Sequence, residues 1–163
     1  MKTLQFFITT FVVFLLAAST TAAQTKSPVE GVWKLIGWIE HGDTNTNPQP
    51  GLIILTKGYY SVALLTSSRP GVEPPKERGK LTDAEKIARF EQWKSFVGVS
   101  GTYEVKGSIL VMRPIVAMAL WAMNRKTPEE STFKFEDPNT IWVLPTAPSA
   151  TSGGLQMKFT RVE

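Results

Sequence analysis

The sequence predicts an all-β protein: about eight antiparallel strands in up-and-down hairpins, closing into a barrel, with one α-helix inserted mid-chain. Three observations predict it. Short apolar and β-branched runs alternate with turn residues along most of the chain. Glycine-containing dipeptides, Lys57-Gly58 and Lys106-Gly107, separate consecutive runs closely enough to make hairpins. One stretch alone, around Thr82 to Phe96, changes to the helical period. A meander of this length with bare edges invites pairing with other chains, so closure is the natural solution. Eight strands enclose an interior wide enough for one small ligand.

The first segment stands apart. Lys2 precedes an apolar run from Phe6 to Ala18, which ends in the small residues Ser19 to Ala23. A short positive region, an apolar stretch and a small-x-small site at Thr21 and Ala23 read as a signal peptide cleaved before Gln24. The apolar run is too short to span a bilayer comfortably. The expected organisation is therefore a leader at 1–23, a lead-in at 24–30 and one domain at 31–163, secreted or periplasmic and without a membrane span after cleavage.

Within that domain, Gly31 to Glu40 is apolar and aromatic with partial alternation, a strand, and Asp43 to Pro50 reads as a loop. Leu52 to Thr56 and Tyr59 to Thr66 form a hairpin about Lys57-Gly58. Ser67 to Lys80, rich in proline, is an exposed loop. Thr82-Asp83-Ala84-Glu85 is a capping box, opening a helix at about Asp83 to Phe96 that Gly98 ends. Ala84, Ile87, Ala88, Phe90, Trp93, Phe96 and Val97 give it an apolar face. Gly101 to Lys106 and Ser108 to Arg113 make a second hairpin, which Pro114 distorts or ends. Ile115 to Met123 continues that strand past a bulge or forms a short helical turn. Ser131 to Glu136 and Thr140 to Leu144 flank Asp137-Pro138-Asn139 as a third hairpin, and Leu155 to Val162 is a final alternating strand.

Composition excludes several function classes. The chain has no cysteine, so disulfides, thiolate metal sites and a cysteine nucleophile are excluded. His41 is the single histidine and falls in a loop, and no Gly-x-Ser-x-Gly occurs. One histidine without cysteine argues against zinc, and no cofactor is expected. The formal net charge of +4 comes from scattered single Lys and Arg residues, not the basic stripe that nucleic acid requires. The carboxylates Glu77, Glu85, Glu91, Glu129, Glu130 and Asp137 read as solvated surface, and no catalytic constellation emerges.

Two features carry a resemblance. Gly31-x-Trp33 opens the first strand, and Arg161 stands near the end of the last. In lipocalins and their calycin relatives, a Gly-x-Trp closes the barrel base and an Arg or Lys of the last strand packs across that ring, a cation–π contact. The stretches GVWKLIGW, GLIILTKGYYSVAL, TDAEKIARFEQWKSF and GTYEVKG, with the Pro-rich loop, resemble the bacterial and fungal lipocalin-like domain family in order and spacing. The resemblance covers Gly31 to Glu163. It implies a lipocalin-like barrel holding a small hydrophobic ligand, with Gly31, Trp33 and Arg161 closing one end. Family members often carry a histidine after the Lys106-Gly107 turn; Ile109 to Arg113 has none, which argues against an acid–base role there.

Aromatic residues are the strongest candidates for a cavity wall. Tyr60, Tyr103 and Trp121 are expected to line it, with Trp93 and Phe96 of the helix closing it. Arg113 follows an apolar run; facing inward it would anchor a ligand carboxylate or phosphate, and facing outward it is a surface arginine. Binding or carriage of a small hydrophobic molecule is the favoured function. Two rivals stay open: an isomerase or cyclase acting by shape on such a molecule, and a filled barrel acting through its surface.

Overall fold

The computed structural model describes residues 27–68, 79–146 and 154–163. The expected leader and the first part of the lead-in lie outside the described residues, as do most of the Pro-rich loop and residues 147–153. The elements in order are β1 (Gly31–Glu40), β2 (Asp43–Asn45), β3 (Gly51–Thr56), β4 (Tyr59–Leu65), α1 (Asp83–Lys94), β5 (Phe96–Lys106), β6 (Ile109–Ala117), α2 (Leu120–Met123), β7 (Glu129–Asp137), β8 (Thr140–Pro145) and β9 (Gln156–Arg161).

All pairings are antiparallel. Strands β3 to β9 follow in chain order, β3 pairs with the start of β1, and β9 pairs with β1 to shut the sheet. The result is the expected closed barrel of eight strands; the stub β2 pairs only with the far end of β1. That stub corrects the expected loop at Asp43. His41 and Gly42 both take positive φ, 52° and 89°, and turn β1 back on itself as a tight hairpin. A histidine at the first turn position hid the signal that Asn-Gly would have given.

The two ends of the barrel differ in kind. At one end β3–β4, β5–β6 and β7–β8 are joined by two-residue turns at Lys57-Gly58, Gly107-Ser108 and Pro138-Asn139. Lys57 and Gly58 both have positive φ, as a type I′ turn demands. In the second turn Gly107 alone does, at 62°, so the turn begins one residue later than the sequence suggested. Asp137 accepts from the Asn139 backbone N–H at 2.7 Å, fixing the third. At the other end the connections are long: 66–95, 118–128 and 146–155.

α1 has the expected capping box: the Glu85 N–H donates to Thr82 Oγ1 (3.3 Å), and the Thr82 N–H donates to Glu85 (2.8 Å). Its end is corrected. Ser95 caps it and Phe96 already begins β5, so Gly98 lies inside a strand. β5 runs longer than expected because Phe96 to Val99 pair with Leu65 to Val62 of β4. β6 also runs past Pro114: a bulge at Ile115 lets Gly101 face Pro114 and Ser100 face Val116. A Cβ on Gly101 would collide with the Arg113 carbonyl. Both readings of Ile115 to Met123 thus hold in turn, strand first and then one helical turn.

The core fills the tight-turn half of the barrel. Val29, Trp33, Leu35, Leu55, Tyr60, Tyr103, Leu110, Ile141, Val143 and Phe159 form one buried cluster.

Candidate ligand cavity

The closed end is built around Trp33. Its indole is 1% exposed and donates from Nε1 to the Val29 carbonyl at 2.8 Å. Arg161, its direct partner in the β1–β9 ladder, lays its guanidinium 4.1 Å from the ring centre. The same guanidinium donates to the carbonyls of Glu30 (2.5 Å) and Pro28 (2.6 Å). One planar cation thereby stacks on the plug and ties down the chain entering β1. Gly31 sits between them with φ of 147°, and a Cβ there would collide with the Glu163 carbonyl. Tight turns, a ring and this strap leave no opening at that end among the described residues.

Above the plug lies a cavity of about 520 Å3, within the roughly 300–1,000 Å3 of small-molecule sites. Its wall is apolar, drawn from every strand of the closed barrel, and Trp33 and Phe159 reach its floor region from the core. Among the described residues the interior is hollow and not filled as the second rival reading expected.

Which residues face inward follows from register. In β5 and β6, Val99, Leu110 and Met112 line the cavity, so the alternate residues Glu104, Val111 and Arg113 face out. In β7, Ser131 pairs with Leu110 and Glu129 with Met112, which places both on the inner face. β1 changes phase: Trp33 and Leu35 point in, the ladder slips between Leu35 and Gly37, and Trp38 and Glu40 then line the cavity.

The candidates separate on this basis. Tyr60 and Trp121 line the cavity. Tyr60 is deep, and burial pushes its phenol up to about 12, helped by the negative charge of Glu129. Trp121 stands at the rim, 63% exposed, beneath the Arg125 guanidinium at 4.9 Å. Three candidates require correction. Tyr103 is buried in the core and is not part of the cavity wall; its N–H donates to Gly58 of a closed-end turn (2.7 Å), which puts it low in the barrel. Burial, with the charge of Glu30 second, raises its phenol too. Arg113 faces outward and donates to Glu104 at 2.9 Å, an exposed cross-strand pair. Trp93 stands outside the cavity, 53% exposed, with its ring edge-on to Phe96 at 5.7 Å. No residue of α1 is buried, so the helix does not close the barrel; Phe96, already in β5, does line the cavity.

Sequence reasoning missed the polar residues of the wall. Arg125 and Glu129 form an ion pair at 3.2 Å, and both line the cavity with Glu40 and Glu130. The signal was present for Glu129. Glu129, Ser131, Phe133 and Phe135 alternate, and the two phenylalanines belong to the core face. Among the described residues, no group of three or more acidic or histidine side chains is placed to hold a metal ion.

A closed up-and-down barrel, plugged by a Trp–Arg pair at one end and hollow toward the other, is a lipocalin-like barrel. In fold the chain is similar to a crystal structure of a lipocalin-like protein from Bacteroides uniformis, with 12% identity and a TM-score of 0.46 over 83% of this chain and 99% of that one. It is similar also to a redesigned beta barrel (11% identity, TM-score 0.44, 83% and 93% of the two chains). A third structure, an uncharacterized protein from Bacteroides eggerthii, gives 9% identity and a TM-score of 0.43 over 81% and 98%. No protein-family model and no curated protein matches the sequence.

Proposed function

We propose that the protein binds and carries a small hydrophobic molecule in the barrel cavity. The observation that carries this reading is the 520 Å3 space walled by apolar side chains in an otherwise close-packed barrel. Protein interiors do not leave such volume empty without cost, and a ligand replaces the missing contacts. Burial of its apolar surface supplies about 25 cal/mol per Å2 before the costs of association. The protein acts outside the cytoplasm on this proposal, which rests on the leader at 1–23. Among the described residues no helix is long and apolar enough to cross a membrane.

Native mass spectrometry of protein purified from its own compartment tests the carriage. A bound small molecule, released on unfolding, is the expected result. In parallel, the uncharged dye N-phenyl-1-naphthylamine should brighten on binding. Protein that is empty and takes up no dye would overturn the proposal. Cell fractionation tests the location: the mature chain should begin at Gln24 and leave the cytoplasm.

A further inference from the structure

The chain as a whole is basic, with a formal net charge of +4. The cavity has the opposite balance. Among the described residues, the charged side chains that register or pairing places on it are Glu40 and Glu129 against Arg125; Glu130 touches it too, but as the ladder partner of the outward Val111. The one cation is engaged: it is paired with Glu129 at 3.2 Å and held over the Trp121 ring at 4.9 Å. Arg125 is thus not a free anchor for an incoming anion. Glu40 reaches the cavity because the bulge in β1 turns Trp38 and Glu40 inward together. None of the ion pairs seen among the described residues engages Glu40.

From this arrangement we infer that the cavity selects lipophilic amines, apolar chains or ring systems ending in a protonated nitrogen, and discriminates against fatty carboxylates. The inference rests on the cavity-binding proposal and names its ligand class. The apolar portion would lie along Val62, Val99, Met112 and Met157, with the ammonium group at the mouth facing Glu40 and the outer oxygens of the Glu129–Arg125 pair. There the low-dielectric wall strengthens the attraction. A carboxylate in the same pose meets like charges, and can reach Arg125 only by displacing Glu129. An uncharged alcohol is neither drawn nor repelled, so it measures the apolar contribution alone.

A matched set tests this: dodecylamine, dodecanol and dodecanoate, each displacing N-phenyl-1-naphthylamine from the purified protein at neutral pH. The amine should bind at least about ten-fold more tightly than the carboxylate, with the alcohol between them. High salt should narrow the gap. Glu40→Gln should weaken the amine about three-fold or more and leave the alcohol unchanged. Glu129→Gln releases Arg125 and should strengthen dodecanoate, a gain of binding that a misfolded variant could not give. Dodecanoate binding as tightly as dodecylamine in the native protein would overturn the inference while leaving cavity binding intact. Dye that never binds, with none of the three compounds detected by native mass spectrometry, would overturn the cavity proposal and this inference with it.

Discussion

The Arg161 guanidinium lies 4.1 Å from the centre of the Trp33 ring at the seam where the last strand meets the first. The indole beneath it bonds the Val29 carbonyl, and the guanidinium above bonds those of Pro28 and Glu30. Residues far apart in sequence thus lock plug, entering chain and final strand in one stack.

Arg161→Ala removes the cation–π contact and three charge-assisted hydrogen bonds, to Glu30, Pro28 and Pro138, together. These are coupled, so the loss should be less than their sum, about 2–4 kcal/mol. Arg161→Lys should recover less than half of it, because an ammonium cannot stack on the ring and reach these carbonyls at once. Urea unfolding of the three proteins measures this; a loss for Arg161→Ala below about 1 kcal/mol would show that closure does not depend on the stack.

Val62 faces the cavity and is only partly enclosed by its neighbours. Val62→Trp should extend the new ring into open space and not into packed atoms. Stability should stay within about 1 kcal/mol of the parent, since the usual overpacking penalty does not apply. Dye affinity should fall at least about ten-fold. Unchanged dye binding would place the bound dye somewhere other than this cavity.

Tyr60 has a phenol raised to about 12 by burial and by Glu129. The folded state therefore holds this proton more firmly than the unfolded chain, whose tyrosines ionise near 10. Its contribution to stability is full below pH 10 and is lost as pH rises from 10 through about 12. Urea midpoints recorded across that window should fall less steeply for Tyr60→Phe than for the parent. Equal slopes would mean that Tyr60 ionises as an ordinary tyrosine.

Thr82 and Glu85 cap a helix that contributes no buried residue. Thr82→Ala should cost the helix about 1 kcal/mol. The barrel should not register this loss, because its core contains nothing from α1. Amide exchange at 85–94 should accelerate while the urea midpoint stays unchanged. A shifted midpoint would show that α1 and the barrel unfold together.

Much of the fold was legible because its signals are local. Gly58 and Gly107 punctuate two hairpins with the positive φ that their turns require. Thr82 and Glu85 mark a helix start within four residues of sequence. Gly31 and Trp33 open the first strand and Arg161 ends the last, and the two strands meet there in one seam, so the resemblance they carry points to a real contact. The cavity wall was less legible. Apolar periodicity along α1 suggested a helix packed on the barrel, yet Ile87, Phe90 and Trp93 are exposed. Periodicity records an apolar face; it does not record what, if anything, that face meets.

By itself the sequence determined most of the strands, the Lys57-Gly58 turn, the helix cap and the closure of the sheet, since these follow from backbone preferences and side-chain patterns along the chain. Only the tertiary structure decided the direction of individual side chains at the site. In a strand the facing alternates with period two, so a single bulge reverses every residue beyond it. The slip near Gly37 turns Glu40 inward, and ladder register turns Arg113 outward and Glu129 inward. Register is fixed by pairing with strands distant along the chain, and for that reason the charge of the cavity became visible only once the barrel had closed.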